Sequence, residues 1–81
     1  MIECWKFQSE HCAPCKAVQP KLQKFCKDKG IKLIELDISE HNITARDRMV
    51  RSVPTMILLK DGNELTRCIG TNFEENFKEY V

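Results

Sequence analysis

Cys12 and Cys15, separated by Ala13 and Pro14, are the residues of this chain best equipped to do chemistry. Two sulfurs three positions apart in the first turn of a helix lie on one face and can close a small ring. The free N–H groups and positive dipole end of such a turn favour a thiolate over a thiol. The thiolate is the form that attacks a disulfide. Cys12, nearer the helix end and solvent, is the expected attacking thiol, and Cys15, one turn deeper, the expected resolving thiol. Zinc is the competing use of this spacing, but it wants four ligands and commonly two such pairs. The other ligand types are His11, Cys26 and His41, none paired at finger-like spacing. Redox exchange is the favoured chemistry, with no metal and no organic cofactor.

The elements that must position this pair follow from periodicity. Ile2 to Phe7 reads as a short strand, with Ile2, Cys4 and Lys6 on one face and Glu3, Trp5 and Phe7 on the other. A long helix follows to about Lys29, its buried stripe at Val18, Leu22, Phe25 and Cys26. Pro20 interrupts its hydrogen bonding and predicts a kink, and Gly30 supplies the stop. Ile31 to Ile38 is a second strand, joined to the first through the helix and therefore parallel to it. A shorter helix is predicted from Ile43 to Val50, capped by Asn42 or Ser39. Pro54 opens a third strand, Thr55 to Lys60. Asp61-Gly62 is a tight-turn signal before an antiparallel return from Glu64 to Ile69. Thr71/Glu74 or Asn72/Glu75 would cap a last helix whose apolar face is Phe73, Phe77, Tyr80 and Val81. The expected fold is α/β, in the order βαβαββα: a four-stranded mixed sheet flanked by three helices.

Eighty-one residues predict a single domain spanning residues 1–81 with one modest core. A net charge of +1, with basic residues matched by acidic ones along the chain, argues against nucleic-acid or membrane partners. No apolar run approaches a membrane span, and the first residues show no secretory pattern. Five cysteines leave Cys4, Cys26 and Cys68 over once Cys12 and Cys15 are paired. Spare thiols fit a reducing compartment, so a cytoplasmic location is expected. A monomer is expected as well.

Four separated segments come in a recognisable order: Cys12-Ala13-Pro14-Cys15-Lys16 with Pro20, then Val50 to Thr55, then Lys60-Asp61-Gly62, then Ile69-Gly70-Thr71. From about Trp5 onward the chain resembles the thioredoxin family, in the minimal form shared with glutaredoxins. Relative to a full-length thioredoxin, an N-terminal strand and helix are missing. The resemblance implies a cis peptide at Pro54, packed opposite the cysteines, and a Val53 backbone that pairs with a bound substrate chain. It implies that Gly70 and Thr71 form the facing loop. Thioredoxins usually carry aspartate where this chain has Lys6 and lysine where it has Glu35, on neighbouring strands under the active site. Here the charges are exchanged. Either both side chains reach the surface and do nothing, or they form an ion pair with Glu35 as proton acceptor for Cys15. His11 stands where tryptophan is usual. It is either an indifferent surface residue or, when protonated, a further stabiliser of the Cys12 thiolate.

The activity implied is reduction of disulfide-containing target proteins, with recycling by a thioredoxin-reductase-like flavoenzyme. Glutaredoxins usually hold glutathione with two consecutive glycines and an aspartate. One glycine at Gly70, with no aspartate close behind, weakens a glutathione-coupled role. A dedicated electron donor to a ribonucleotide reductase, and a zinc-binding module, are the remaining alternatives.

Overall fold

Alternation along the first strand decides how the layers assemble. The computed structural model describes residues 1–81. Its strands are β1 (Ile2–Gln8), β2 (Lys32–Asp37), β3 (Thr55–Lys60) and β4 (Asn63–Ile69). They form one sheet in the order β2-β1-β3-β4, with β1 parallel to β2, and β3 antiparallel to both β1 and β4. The helices are α1 (Ala13–Lys29), α2 (Asn42–Asp47) and α3 (Phe73–Phe77). This is the expected element order. It is a mixed sheet with three helices.

One face of the sheet holds the larger core. Cys4 from β1, Met56 and Leu58 from β3, and Cys68 from β4 meet Val18, Leu22 and Cys26 of α1 and Phe73 and Phe77 of α3. Phe25 joins them edge-on to Phe73, with ring centroids 5.2 Å apart. The opposite face gathers Phe7, Ile57 and Leu59 under Ala45 of α2, with Trp5, Ile38, Val50 and Val53 packed around them. β3 is buried from Thr55 through Leu59, the continuous apolar reading of a strand covered on both sides.

The ends of the elements depart from expectation for local reasons. α1 stops at Gly30, which takes the left-handed conformation at φ 68° while Ile31 N–H closes on the Cys26 carbonyl at 2.8 Å. α2 ends at Asp47, short of Val50, because Met49 turns left-handed at φ 58° and Val50 N–H returns to the Ala45 carbonyl. Neither Ser39 nor Asn42 caps α2; its N-cap is His41, with no side-chain bond. The Ser39 hydroxyl and N–H both go to the Asp37 carboxylate, at 2.6 and 2.8 Å, and hold that carboxyl below its usual range. Asn72 stands at the N-cap of α3 without the predicted capping bond. Tyr80, placed on the apolar face by periodicity, is exposed. Asp61 and Gly62 both take positive φ, as the two-residue turn between β3 and β4 requires.

Lys6 is the one charged residue in the buried set, only 1% exposed. It lies on the α1 side of β1, where its ammonium donates to the Cys15 carbonyl at 2.8 Å and to Gln19 Oε1. Neither reading of the exchanged charges holds in full: Glu35, the register neighbour of Lys6 on β2, is exposed and makes no salt bridge, while Lys6 does not reach the surface. Burial holds the Lys6 amine below the ordinary lysine range, opposed by the Glu35 carboxylate and then by Cys4.

Two predictions follow from this packing. Leu22→Ala empties a fully buried position in the larger core and is expected to lower the unfolding free energy by about 2–5 kcal/mol in urea titrations. For Lys6 the native state binds its proton more weakly than the unfolded chain, so native stability rises with pH toward about 10.4, the ordinary lysine value. Lys6→Met is expected to be more stable than wild type near neutral pH, on the order of 1 kcal/mol. That advantage shrinks as pH climbs toward 10; a pH-independent difference would contradict the assignment.

Candidate active site

Strand register brings three loops to one edge of the sheet. Phe7 pairs with Thr55, and Thr55 with Ile69, so β1 ends, β3 begins and β4 ends side by side. The segment leading into α1, the segment before β3 and the Gly70 loop therefore emerge together. Gly70 N–H donates to the Pro54 carbonyl at 2.9 Å, carrying the ladder one step beyond the strands. The Val53–Pro54 peptide is cis, as the resemblance implied. Thr55 Oγ1 donates to the Ser52 carbonyl at 2.7 Å, and Arg48 lies over the Trp5 ring at 4.8 Å; both contacts brace the approach to Val53.

Cys12 and Cys15 are joined as a disulfide, with Cα atoms 5.2 Å apart. Cys12 is the N-cap of α1 in an extended conformation, and its Sγ accepts the Cys15 N–H at 3.2 Å. A sulfur thus occupies the place of the usual capping oxygen, satisfying one of the free donors of the first turn. No carboxylate sits in that turn to compete for it, and Pro14 needs no donor there. The two sulfurs are unequal: Cys12 keeps 9% exposure and Cys15 only 2%.

The other sequence-nominated residues fall into two groups. His11, Ala13, Pro14 and Thr71 are exposed around the disulfide and the Gly70 loop. Val53 is half-buried and Pro54 buried. Gly70 has φ 109°, and no atom lies within 4 Å of where a side chain would begin, so the space above it is open. Glu35 borders a polar cavity of about 680 Å³ that also touches Lys6, Cys15, Gln19, Asp37 and Glu40. Gln19 was not singled out by the sequence, although it lies four residues after Cys15, on the same helix face. Its Oε1 holds Lys6 while its buried Nε2 has no partner. A second concavity, about 570 Å³, runs beside Val53 and is lined by Ile38, Ala45, Met49 and Val50 with Arg46 and Arg51.

The three spare cysteines are buried and unpaired. Cys4 shares a thiol contact with Cys26, which together with burial pushes Cys4 well above the ordinary thiol range; the same contact lowers Cys26. Burial raises Cys68. None of them has the helix-capping position of Cys12.

Comparison with known proteins agrees with this geometry. The sequence model of the thioredoxin family matches residues 4–81. Thioredoxin from Mycolicibacterium smegmatis is 43% identical over 68 residues, covering 79% of this chain and 61% of that protein. The chain thus spans less than two thirds of that relative's length. Thioredoxin from Staphylococcus aureus is 35% identical over 82 residues, covering 99% of this chain and 79% of the relative. Among solved structures, oxidised mitochondrial thioredoxin 3 from Saccharomyces cerevisiae superposes with a TM-score of 0.82 at 30% identity, over 88% of this chain and 68% of that one. Fasciola hepatica thioredoxin gives 0.84 at 25% identity, over 96% and 75%. A helix-capping Cys12–Cys15 disulfide, a cis Pro54 beside Gly70 and a family match from residue 4 to residue 81 converge: the chain belongs to the thioredoxin family of thiol–disulfide oxidoreductases.

Proposed function

We propose that this protein reduces disulfides in target proteins by cycling Cys12 and Cys15 between dithiol and disulfide. The observation that carries the reading is the Cys12 sulfur at the N-cap of α1, accepting the Cys15 N–H, with Cys15 buried beneath it. In the reduced protein that hydrogen bond and the helix dipole favour a thiolate at Cys12. This thiolate attacks one sulfur of the target disulfide; the target's S–S bond breaks, and its other sulfur leaves as a thiolate. Cys15, deprotonated, then attacks Cys12 Sγ, breaking the mixed disulfide and releasing the second target thiolate. The pair ends oxidised and the target reduced by two electrons.

The target chain lies along the Val53 backbone in β fashion, with its reacting sulfur over Cys12 and its flank against open Gly70. His11, Ala13, Pro14 and Thr71 frame this surface. The proton from Cys15 leaves through the polar cavity toward water and Glu35. A thioredoxin-reductase-like flavoenzyme returns the electrons, and no metal or bound cofactor takes part. Three buried, unpaired thiols fit a reducing cytoplasm. No helix is long and apolar enough to cross a membrane. The chain acts as a monomeric single domain.

Two measurements test this. In an insulin-reduction assay Cys12→Ser is expected to fall to background. Cys15→Ser is expected to lose turnover and accumulate mixed disulfides with target, visible by non-reducing mass spectrometry. The reverse pattern would exchange the roles of the two thiols. Equilibration of the wild type in glutathione buffers is expected to give a potential nearer thioredoxin, about −270 mV, without a lasting adduct. A stable glutathione adduct on Cys12, with a potential of roughly −200 to −230 mV, would indicate a glutathione-coupled enzyme instead.

A further inference from the structure

Nothing in the exchange between Cys12 and Cys15 calls for a lysine in the interior, yet Lys6 is 1% exposed and hydrogen-bonded to the backbone of Cys15. We propose that Lys6 is a positioning residue for the resolving thiol. Its ammonium, fixed on the Cys15 carbonyl, favours the Cys15 thiolate and makes the Cys12–Cys15 disulfide a stronger oxidant than it would otherwise be. The inference rests on the dithiol–disulfide cycle proposed above.

The geometry sets the range of the effect. Lys6 Nζ is 2.8 Å from the Cys15 oxygen. Covalent dimensions keep a cysteine sulfur within about 5 Å of its own carbonyl oxygen, so the charge stands within about 8 Å of Sγ. Both side chains are nearly excluded from water, at 1% and 2% exposure, so little solvent screens their interaction. Gln19 reinforces the placement. Its Oε1 accepts from the ammonium while its Nε2 stays buried without a partner, so the amide is oriented for the lysine at the expense of its own donor.

The surrounding charges decide whether the ammonium persists. Glu35 and Asp37 come from β2, Glu40 from just beyond it, and Glu10 and Lys16 from either side of the α1 start. On β3 the register neighbour is uncharged Met56, and on β1 itself Cys4 is the nearest titratable group. Burial works against the charged lysine and Glu35 supports it. Glu10, Glu35 and Glu40 are exposed, and their fields are weakened by water. Against those exposed carboxylates the buried cation is the less screened charge at Cys15, and in the reduced protein it is opposed by the Cys12 thiolate beside it.

The consequence appears on reduction. Two electrons open the neutral disulfide, and the sulfurs emerge as thiols or thiolates according to the protons they take up. A neighbouring cation stabilises the thiolate and leaves the neutral disulfide unaffected, so it favours the reduced form. In the forward reaction the same thiolate attacks Cys12 Sγ. One S–S bond forms as the mixed disulfide breaks, and the departing target thiolate takes its proton from solvent.

The test compares wild type, Lys6→Met and Lys6→Gln in glutathione redox buffers, with Cys15 titrated by its 13Cβ chemical shift in the reduced proteins. Burial and the Cys12 thiolate oppose ionisation of Cys15, so the readout is its titration relative to the variants, followed from about pH 6 to about pH 10. Both variants are expected to raise it and, at pH values where wild-type Cys15 is ionised, to shift the equilibrium about tenfold toward the disulfide, about 30 mV more negative. Lys6→Gln keeps a donor for the Cys15 carbonyl without the charge. A Lys6→Gln protein within twofold of wild type across that range therefore overturns the inference, as does an unchanged Cys15 titration. If neither variant folds, wild type alone decides: ionisation of Cys15 is expected to hold the Lys6 ammonium to higher pH in the reduced than in the oxidised protein, read by its 13Cε shift, and no difference overturns the inference. If wild-type Cys12 and Cys15 fail to equilibrate with glutathione at all, the disulfide cycle itself is wrong; if they equilibrate and the variants do not differ, only the role of Lys6 is.

Discussion

A sulfur that caps a helix is the contact on which the site depends. The Cys15 N–H reaches Cys12 Sγ at 3.2 Å, at the start of a 17-residue helix whose last turn carries Lys27 and Lys29. The capping bond places the more accessible sulfur against unsatisfied donors and the positive end of the dipole. The three-residue spacing puts the second sulfur one turn down, where it is shielded. In the proposed cycle, reactivity and order of attack both come from where the helix begins. A start displaced by one turn would bury the first sulfur or free the second.

The helix start has to be held, and the sheet holds it. β1 delivers the chain to Cys12 from between two partners, and its pairings fix which loops can face the disulfide. Because Thr55 pairs with both Phe7 and Ile69, backbone hydrogen bonds place Pro54 and Gly70 at the same end of the sheet as Cys12. The core beneath is made from both sheet faces, with α1 and α3 on one and α2 on the other. That arrangement leaves the loop edge uncovered for a substrate chain.

Much of this was legible in the residues. The apolar stripe of α1, the alternation in β1 and the Asp61-Gly62 turn are local patterns with one structural solution each. The cis peptide at Pro54 was legible only through resemblance, since a proline before a strand is equally at home in an ordinary edge position. What escaped was tertiary. Met49 in a left-handed conformation has no sequence signal, and with the return of Val50 N–H to the Ala45 carbonyl it closes α2 early. The cap of α2 was misplaced because Ser39 found a closer acceptor in Asp37; Asn72 does stand at the N-cap of α3, but without a side-chain bond. Lys6 and Glu35 were correctly placed as neighbours on adjacent strands. Periodicity reports the face, and the direction of a long flexible side chain beyond Cβ is decided by which acceptors it meets.

For Lys6 those acceptors belong to the helix, and this changes what the exchanged charges mean. A lysine reaching outward to Glu35 would form a surface pair of little consequence. Turned inward, it lies under the helix that carries the disulfide, where its charge faces the sulfurs without a salt bridge to a carboxylate. A buried charge with one carbonyl and one amide for partners is poorly repaid in stability compared with an apolar side chain of similar size. A site that retains such a group places electrostatics at its reacting atoms ahead of packing. The exposed Glu35 carboxylate at the cavity wall then has a use of its own: it helps keep the amine protonated without forming a salt bridge to it.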